Sequence, residues 1–240
     1  MRPVFMRGEW RDLVLLTWFA EPARLQPLVP AGVELDTWDG LALVSVVGLK
    51  FLRLRAVGIP APGLQAFAQV NVRVYVKRQP GGDVRHGVRF LSQMAPSRIM
   101  AAGAQLTMHE PFLARDTRVE DVRMPLGRRS ITYAWRSGGW HHMRVLVDPP
   151  PRRERGEGSL ETFVLQRCWG YTPQPDGATL EYQVEHPHWR VWPVLEVEKS
   201  ASWDSDVLPA DVATLLARPP AFAVFAEGSD IQVHIPKRLG

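Results

Sequence analysis

Proline and glycine set the first limit on this chain. With 21 prolines and 19 glycines among 240 residues, the sequence is cut into short pieces. Long helices do not survive such punctuation, because proline removes a backbone donor and glycine raises the entropic cost of ordering. The pieces between the breaks alternate or run apolar as strands do. The clearest is 69–76, where Val70, Val72, Val74 and Val76 share one face and Gln69, Asn71, Arg73 and Tyr75 share the other. Further strands are predicted over 13–19, 41–51, 88–92, 119–124, 131–135, 143–147, 179–184, 191–197, 222–225 and 231–235. Helices are predicted over 97–108 and 159–168, with Ser97 and Ser159 as N-caps and Glu161 placed to favour the helix dipole. Shorter ones are predicted over 21–30 and 210–217. Many strands and few helices predict a mainly β (α+β) antiparallel fold. The Pro/Arg-rich stretch 148–158 reads as a solvated loop. Composition does not shift across it, so a single domain over 1–240 is expected.

Charge and motifs then narrow the function classes. Basic residues number 29 against 25 acidic ones, a net charge of +4. Only Lys50, Lys77, Lys199 and Lys237 are lysines, and the arginines are scattered apart from one knot at Arg152, Arg153 and Arg155. Nucleic-acid binding would need them gathered on one face, so no nucleic-acid partner is expected. No apolar run reaches the ~18–20 residues of a membrane helix, and Met1 to Arg7 leads into Gly8-Glu9 rather than a long apolar stretch. Cys168, alone, cannot form an internal disulfide and reads as a small buried hydrophobe on the 159–168 helix. A cytoplasmic setting without a membrane partner follows as the expectation.

Catalytic signatures are sparse. There is no Gly-x-Ser-x-Gly elbow, P-loop or Gly-x-Gly-x-x-Gly turn. The close histidine sets, His141-His142 and His186-Pro187-His188, lack the third and fourth ligands that zinc needs, so neither a metal nor a cofactor is expected. The polar face of 69–76 can meet solvent or, in a closed sheet, line a ligand cavity. Arg89 and Ser92 in the next segment favour the cavity. The candidate binding set is therefore Gln69, Asn71, Arg73, Tyr75, Arg89 and Ser92, with Arg73 or Arg89 clamping a carboxylate through paired N–H groups and Tyr75 and Asn71 orienting it.

A series of short motifs carries a resemblance along nearly the whole chain. Trp10-Arg-Asp-Leu13, the turn from Glu21-Pro to Leu28-Val-Pro30, Gly32-Val-Glu-Leu-Asp-Thr37, Asp39-Gly40, Asn71-Val-Arg-Val-Tyr-Val76 and Gly87-Val-Arg-Phe90 come first. Gly158-Ser-Leu-Glu161, His186-Pro187 and Ser229-Asp230-Ile-Gln-Val233 follow. In that order they resemble the YqjF-like uncharacterised conserved proteins, a family similar in fold to acetoacetate decarboxylase. The resemblance implies a β-barrel-like sheet with a few packed helices around a central pocket. It does not carry the decarboxylase chemistry across. The paired lysines of that enzyme, one of them the Schiff-base nucleophile, match Phe112 and Leu113 after Pro111. Its arginine falls near Phe19, and its glutamate matches Gln69. Without an amine the imine step has no nucleophile. The chain also departs from its nearer relatives, having Gln69 where they usually have Glu and Met94 where they tend to have Asp.

Three functions stay open at this point. One is a small-molecule-binding protein, or an enzyme of unknown reaction, built on the candidate binding set. A second is a lyase or hydratase-like enzyme acting on an oxo acid, with Glu110 and His186 or His188 as proton carriers. The third is a structural or interaction module, with a homo-oligomer as one form of it. A polar-lined cavity favours the first two and a filled core the third.

Overall fold

The computed structural model describes residues 2–60, 65–203 and 207–239. Its architecture is mainly β. Strands Val4–Ala20, Ala42–Ala56, Ala66–Arg78 and Arg85–Ala95 pair in succession as antiparallel neighbours. Arg85–Ala95 pairs in parallel with Trp169–Pro173, which pairs with Thr179–Glu185. Thr179–Glu185 reaches Phe222–His234, and that strand returns to Val4–Ala20, so the pairing runs round a ring. A second sheet of Thr117–Arg123, Arg129–Ser137, Gly139–Val147 and Val194–Ser200 packs outside it.

The alternation in 69–76 fixes which layer lies where. Val70, Val72, Val74 and Val76 are fully buried in one apolar cluster with Ile131, Tyr133, Trp135, Met143 and Val145 of the second sheet. The opposite face turns inside the ring, where Leu13, Val47, Leu49, Phe51, Val88, Tyr182 and Val184 form a separate cluster. Both faces of the strand are thus covered, and its polar residues sit in the interior. Gly48 is needed where the layers meet, since a Cβ there would lie 2.3 Å from the Tyr133 ring.

Several predicted elements change on closer view. The predicted strands 222–225 and 231–235 are one strand, Phe222–His234. Gly228 keeps it continuous with φ near +79°, letting the backbone approach the Trp10 carbonyl, which a Cβ would meet at 2.0 Å. The predicted strand 191–197 divides into Arg190–Trp192 and Val194–Ser200 around Pro193. The predicted helix 159–168 stops at Leu165, leaving Arg167 and Cys168 beyond it. The helix predicted over 21–30 is one short turn, Pro22–Leu25, followed by a 3₁₀ turn, Gln26–Leu28. The 148–158 stretch is not a free loop. Arg152–Arg153 pairs with Arg190–Trp192, and Arg152 holds the buried Glu161 carboxylate at 2.9 and 2.6 Å. Helices Arg98–Met108 and Ala210–Ala217 form as read, the first capped by Ser97 accepting from Met100 N at 3.2 Å. Among the described residues no helix is long and apolar enough to cross a membrane.

Candidate functional site

The ring encloses a cavity of about 300 Å³. Its walls are mostly apolar: Leu13, Val47, Leu49, Phe51, Val88, Phe90 and Val233 come from the strands, and Trp10 and Trp189 close one side. Helix Arg98–Met108 adds Met100, Ala104 and Met108, residues four apart on one helical face. Against this background the polar lining residues stand out, and they form two groups.

The first group gathers at the end of the short helix Leu160–Leu165. Ser159 caps its start, and Arg152 and the Arg155 backbone N–H hold Glu161 in its first turn. The last carbonyls of a helix lack partners within it and carry partial negative charge, so they suit cations. Two guanidiniums use them. Arg73 Nη2 donates to the Val164 carbonyl at 2.8 Å, and Arg167 Nε donates to that of Phe163. Both stand near the Tyr75 ring, at 5.4 and 5.1 Å from its centroid, and Arg167 lies 3.8 Å from that of Phe163. Their charge balance differs. Arg167 is buried and paired with Asp36, which also meets His86 Nδ1 at 2.7 Å. Burial by itself would raise the Asp36 carboxyl, but the Arg167 guanidinium and the His86 hydrogen bond hold it below its usual range. Among the described residues no carboxylate pairs with Arg73, and its Nε is buried without a hydrogen-bond partner. Asn71, 2% exposed, has an unpartnered Oδ1 on the same inner face.

The second group is a chain of hydrogen bonds. Gln69 Nε2 donates to Gln93 Oε1 at 2.9 Å, and Gln93 Nε2 donates to Glu110 Oε2 at 2.7 Å. Glu110 Oε1 accepts from the Tyr182 hydroxyl at 2.9 Å and from the Thr172 hydroxyl. The register explains this geometry. Arg85–Ala95 and Trp169–Pro173 share only the backbone pairs Trp169 with Gly87 and Gly170 with Val88. Beyond them Glu110 joins the two strands through side chains. Gly170 makes room for the Tyr182 ring, which a Cβ there would meet at 2.1 Å. Burial pushes the Glu110 carboxyl above its ordinary range, against the opposing pull of these donors and of the Arg89 charge. Tyr182 is pushed up by burial and by Glu110.

The sequence candidates separate accordingly. Gln69, Asn71, Arg73, Glu110 and His186 line the cavity. Tyr75 is buried behind it, its hydroxyl 2.6 Å from Ser45 Oγ, which lies 2.7 Å from Thr17 Oγ1, so it supports the two arginines rather than orienting a ligand. Arg89 and Ser92 are corrections. They pair in register with Val74 and Val72, on the face turned to the second sheet. The Arg89 guanidinium donates to the Leu28 carbonyl, and burial lowers its pKa. His186 stacks on Trp189 at 4.2 Å, and burial lowers its pKa. His188 is exposed and pairs with Glu154 outside the cavity, because the strand ends at Glu185 and Pro187 turns the chain. Phe112 lines the cavity where the decarboxylase resemblance puts a lysine, while Leu113 packs toward the second sheet. None of the lysines lines the cavity, and Lys50 is bound to Asp12 at 2.7 Å. Gln93 and Arg167 were not candidates. Gln93 is hidden by a bulge that shifts the alternation after Phe90, and Arg167 arrives through the helix end, which leaves no local pattern.

The model of the DUF2071 family, described as an uncharacterized conserved protein, matches residues 7–230. The chain belongs to the DUF2071 family. Uncharacterized protein YqjF of Bacillus subtilis (strain 168) is 35% identical over 186 residues, covering 76% of this chain and 73% of that protein. Among solved structures, this DUF2071 chain is similar to the enduracididine biosynthesis enzyme MppR complexed with pyruvate, with a TM-score of 0.69, 13% identity and coverage of 100% and 91%. An acetoacetate decarboxylase-like enzyme from Sphingomonas wittichii RW1 gives a TM-score of 0.64 at 15% identity, covering 99% and 94%. At these identities the likeness is one of fold, and the DUF2071 ring is an acetoacetate decarboxylase-like fold.

Proposed function

We propose that this protein binds a small organic carboxylate inside the ring without forming an imine. One observation carries the reading: Arg73 lines an apolar cavity and, among the described residues, has no carboxylate partner, its Nε buried and unpaired. A charge kept in such surroundings is costly unless a ligand anion completes it. The absence of lysine from the lining residues supports the non-covalent part. Calorimetric titration with 3-phenylpropionate and with its primary amide is the direct test. The acid is expected to bind at least about 30-fold more tightly, the scale of one charge-assisted buried contact. Equal affinities would remove Arg73 as the anchor.

A second reading, proton transfer to an oxo acid, is favoured by Glu110, a buried carboxyl in the cavity wall whose pKa is raised. The Glu110→Gln variant addresses it. Because the folded pKa lies above the unfolded one, Glu110 contributes fully below the unfolded value, and that stability is lost as pH rises through the folded value. The variant lacks this loss, so its Tm is expected to gain a few °C on the parent between pH 5 and pH 8. A constant gap across that range would mean that Glu110 stays ionised. In D2O, exchange of the CH2 protons of 3-phenylpyruvate is expected with the parent and not with the variant. Equal exchange would exclude Glu110 as the proton carrier.

A further inference from the structure

The polar groups of the cavity do not converge on one point. Gln69 and Arg73 lie four residues apart on the same inner face of Ala66–Arg78, roughly 13 Å of strand at ~3.3 Å per residue. Arg73 belongs with Arg167 at the helix end, and Gln69 begins the chain through Gln93 to Glu110. The guanidinium that bears on Glu110 is that of Arg89, behind the wall.

Between the two groups the wall is apolar. Leu49 pairs with Gln69, Val47 with Asn71, and Phe90 with Arg73, and all three apolar residues line the cavity. Val88 adds to this wall. The volume agrees. About 300 Å³ falls within the roughly 300–1,000 Å³ of sites that take drug-sized ligands. A six-heavy-atom acid such as pyruvate, seated on Arg73, would leave most of the apolar wall uncovered. Asn71 lies midway along the strand, its Oδ1 buried without a partner.

From this arrangement we infer that the ligand is an elongated acid with two polar ends: a carboxylate at Arg73, an aryl or alkyl body of six or more carbons along Val47, Leu49, Val88 and Phe90, and a hydroxyl or carbonyl oxygen at the Gln93–Glu110 end. The inference rests on the carboxylate reading above and assigns the class of compound to that site. The far group suits such an oxygen because its amides and hydroxyls both donate and accept, so that it adapts to either kind. A ligand ending in hydrocarbon there would strip water from this group without returning a hydrogen bond.

Calorimetry on the intact protein with acetate, 3-phenylpropionate and 3-(4-hydroxyphenyl)propionate tests both parts. The phenyl acid is expected to bind at least about 30-fold more tightly than acetate, the scale of burying one aromatic side chain. The para hydroxyl is expected to add a further several-fold. Equal binding of acetate and the phenyl acid would overturn the elongated body. Weaker binding of the hydroxyphenyl acid than of the phenyl acid would overturn the second polar end. If the phenyl acid and its amide bind alike, the carboxylate reading itself has failed, a result distinct from either of these.

Discussion

Replacing Arg73 by methionine is expected to weaken carboxylate binding by about 30- to 1,000-fold while leaving the fold intact. Methionine keeps the apolar stem out to about the position of Nε but removes the guanidinium. Truncating one partner of a buried charge-assisted contact costs about 2–4 kcal/mol, and each 1.4 kcal/mol is tenfold in affinity. The structural losses are small by comparison: one hydrogen bond to the Val164 carbonyl and a cation contact with Tyr75. Against them stands the relief of a guanidinium whose Nε is buried and unpaired. The Tm of the ligand-free variant is therefore expected to hold or rise. This is the signature of a residue kept for binding at the expense of stability. Titration and calorimetric scanning of the same sample decide it. Unchanged affinity for 3-phenylpropionate would eliminate Arg73 as the anchor, and a large fall in Tm would recast it as structural. Arg89→Met, altered behind the wall, is expected to leave the affinity near the parent value.

The largest effect on stability is expected from Asp36→Asn. Asp36 and Arg167 are both buried, their side chains 5% and 3% exposed, and they form an ion pair that His86 extends. Removing the anion leaves a buried guanidinium with only neutral acceptors, and breaking such a pair costs about 3–5 kcal/mol. For a chain of this length each kcal/mol moves Tm by ~2–4 °C, so a fall of roughly 6–20 °C is expected at pH 7. The sign of the pH dependence is fixed. Asp36 has its pKa lowered in the fold from an ordinary 3.8, so its contribution is present above the unfolded value and is lost as pH falls through the folded one. The gap between parent and variant should therefore close in strong acid. A gap of less than 2 °C at pH 7 would show that the pair contributes no net stability.

The 69–76 strand shows how far sequence reasoning reaches. Its period-two pattern sorts valines from polar residues, and the structure puts the two sets on opposite covered faces. The limit appears in the next strand. Arg89 and Ser92 look like partners of Arg73 because they are polar and close in sequence. Yet Val88-Arg89-Phe90 alternates too, and the apolar residues are the ones turned inward there. In a strand covered on both sides polarity does not reveal direction; register does, and the bulge after Val72 alters it. His186 and His188 are alternatives as proton carriers, and a spacing of two puts them on one side only while the strand lasts, which it does not beyond Glu185. Arg167 was invisible because a helix end and a buried aspartate 131 positions away bring it to the cavity. The absent lysine, in contrast, needed no coordinates: four positions could be checked directly, and none lines the ring.

The seam between Arg85–Ala95 and Trp169–Pro173 has a mechanical consequence. Elsewhere round the hoop, apart from the equally short junction of Thr179–Glu185 with Phe222–His234, neighbouring strands share longer backbone ladders. At this clasp two backbone rungs are supplemented by side chains: Arg85 lies over the Trp169 ring at one end, and the Glu110 carboxyl grips both flanks at the other. Closure of the hoop there leans on side chains as well as backbone, so a change at Glu110, Gln93 or Thr172 bears directly on the wall around the cavity.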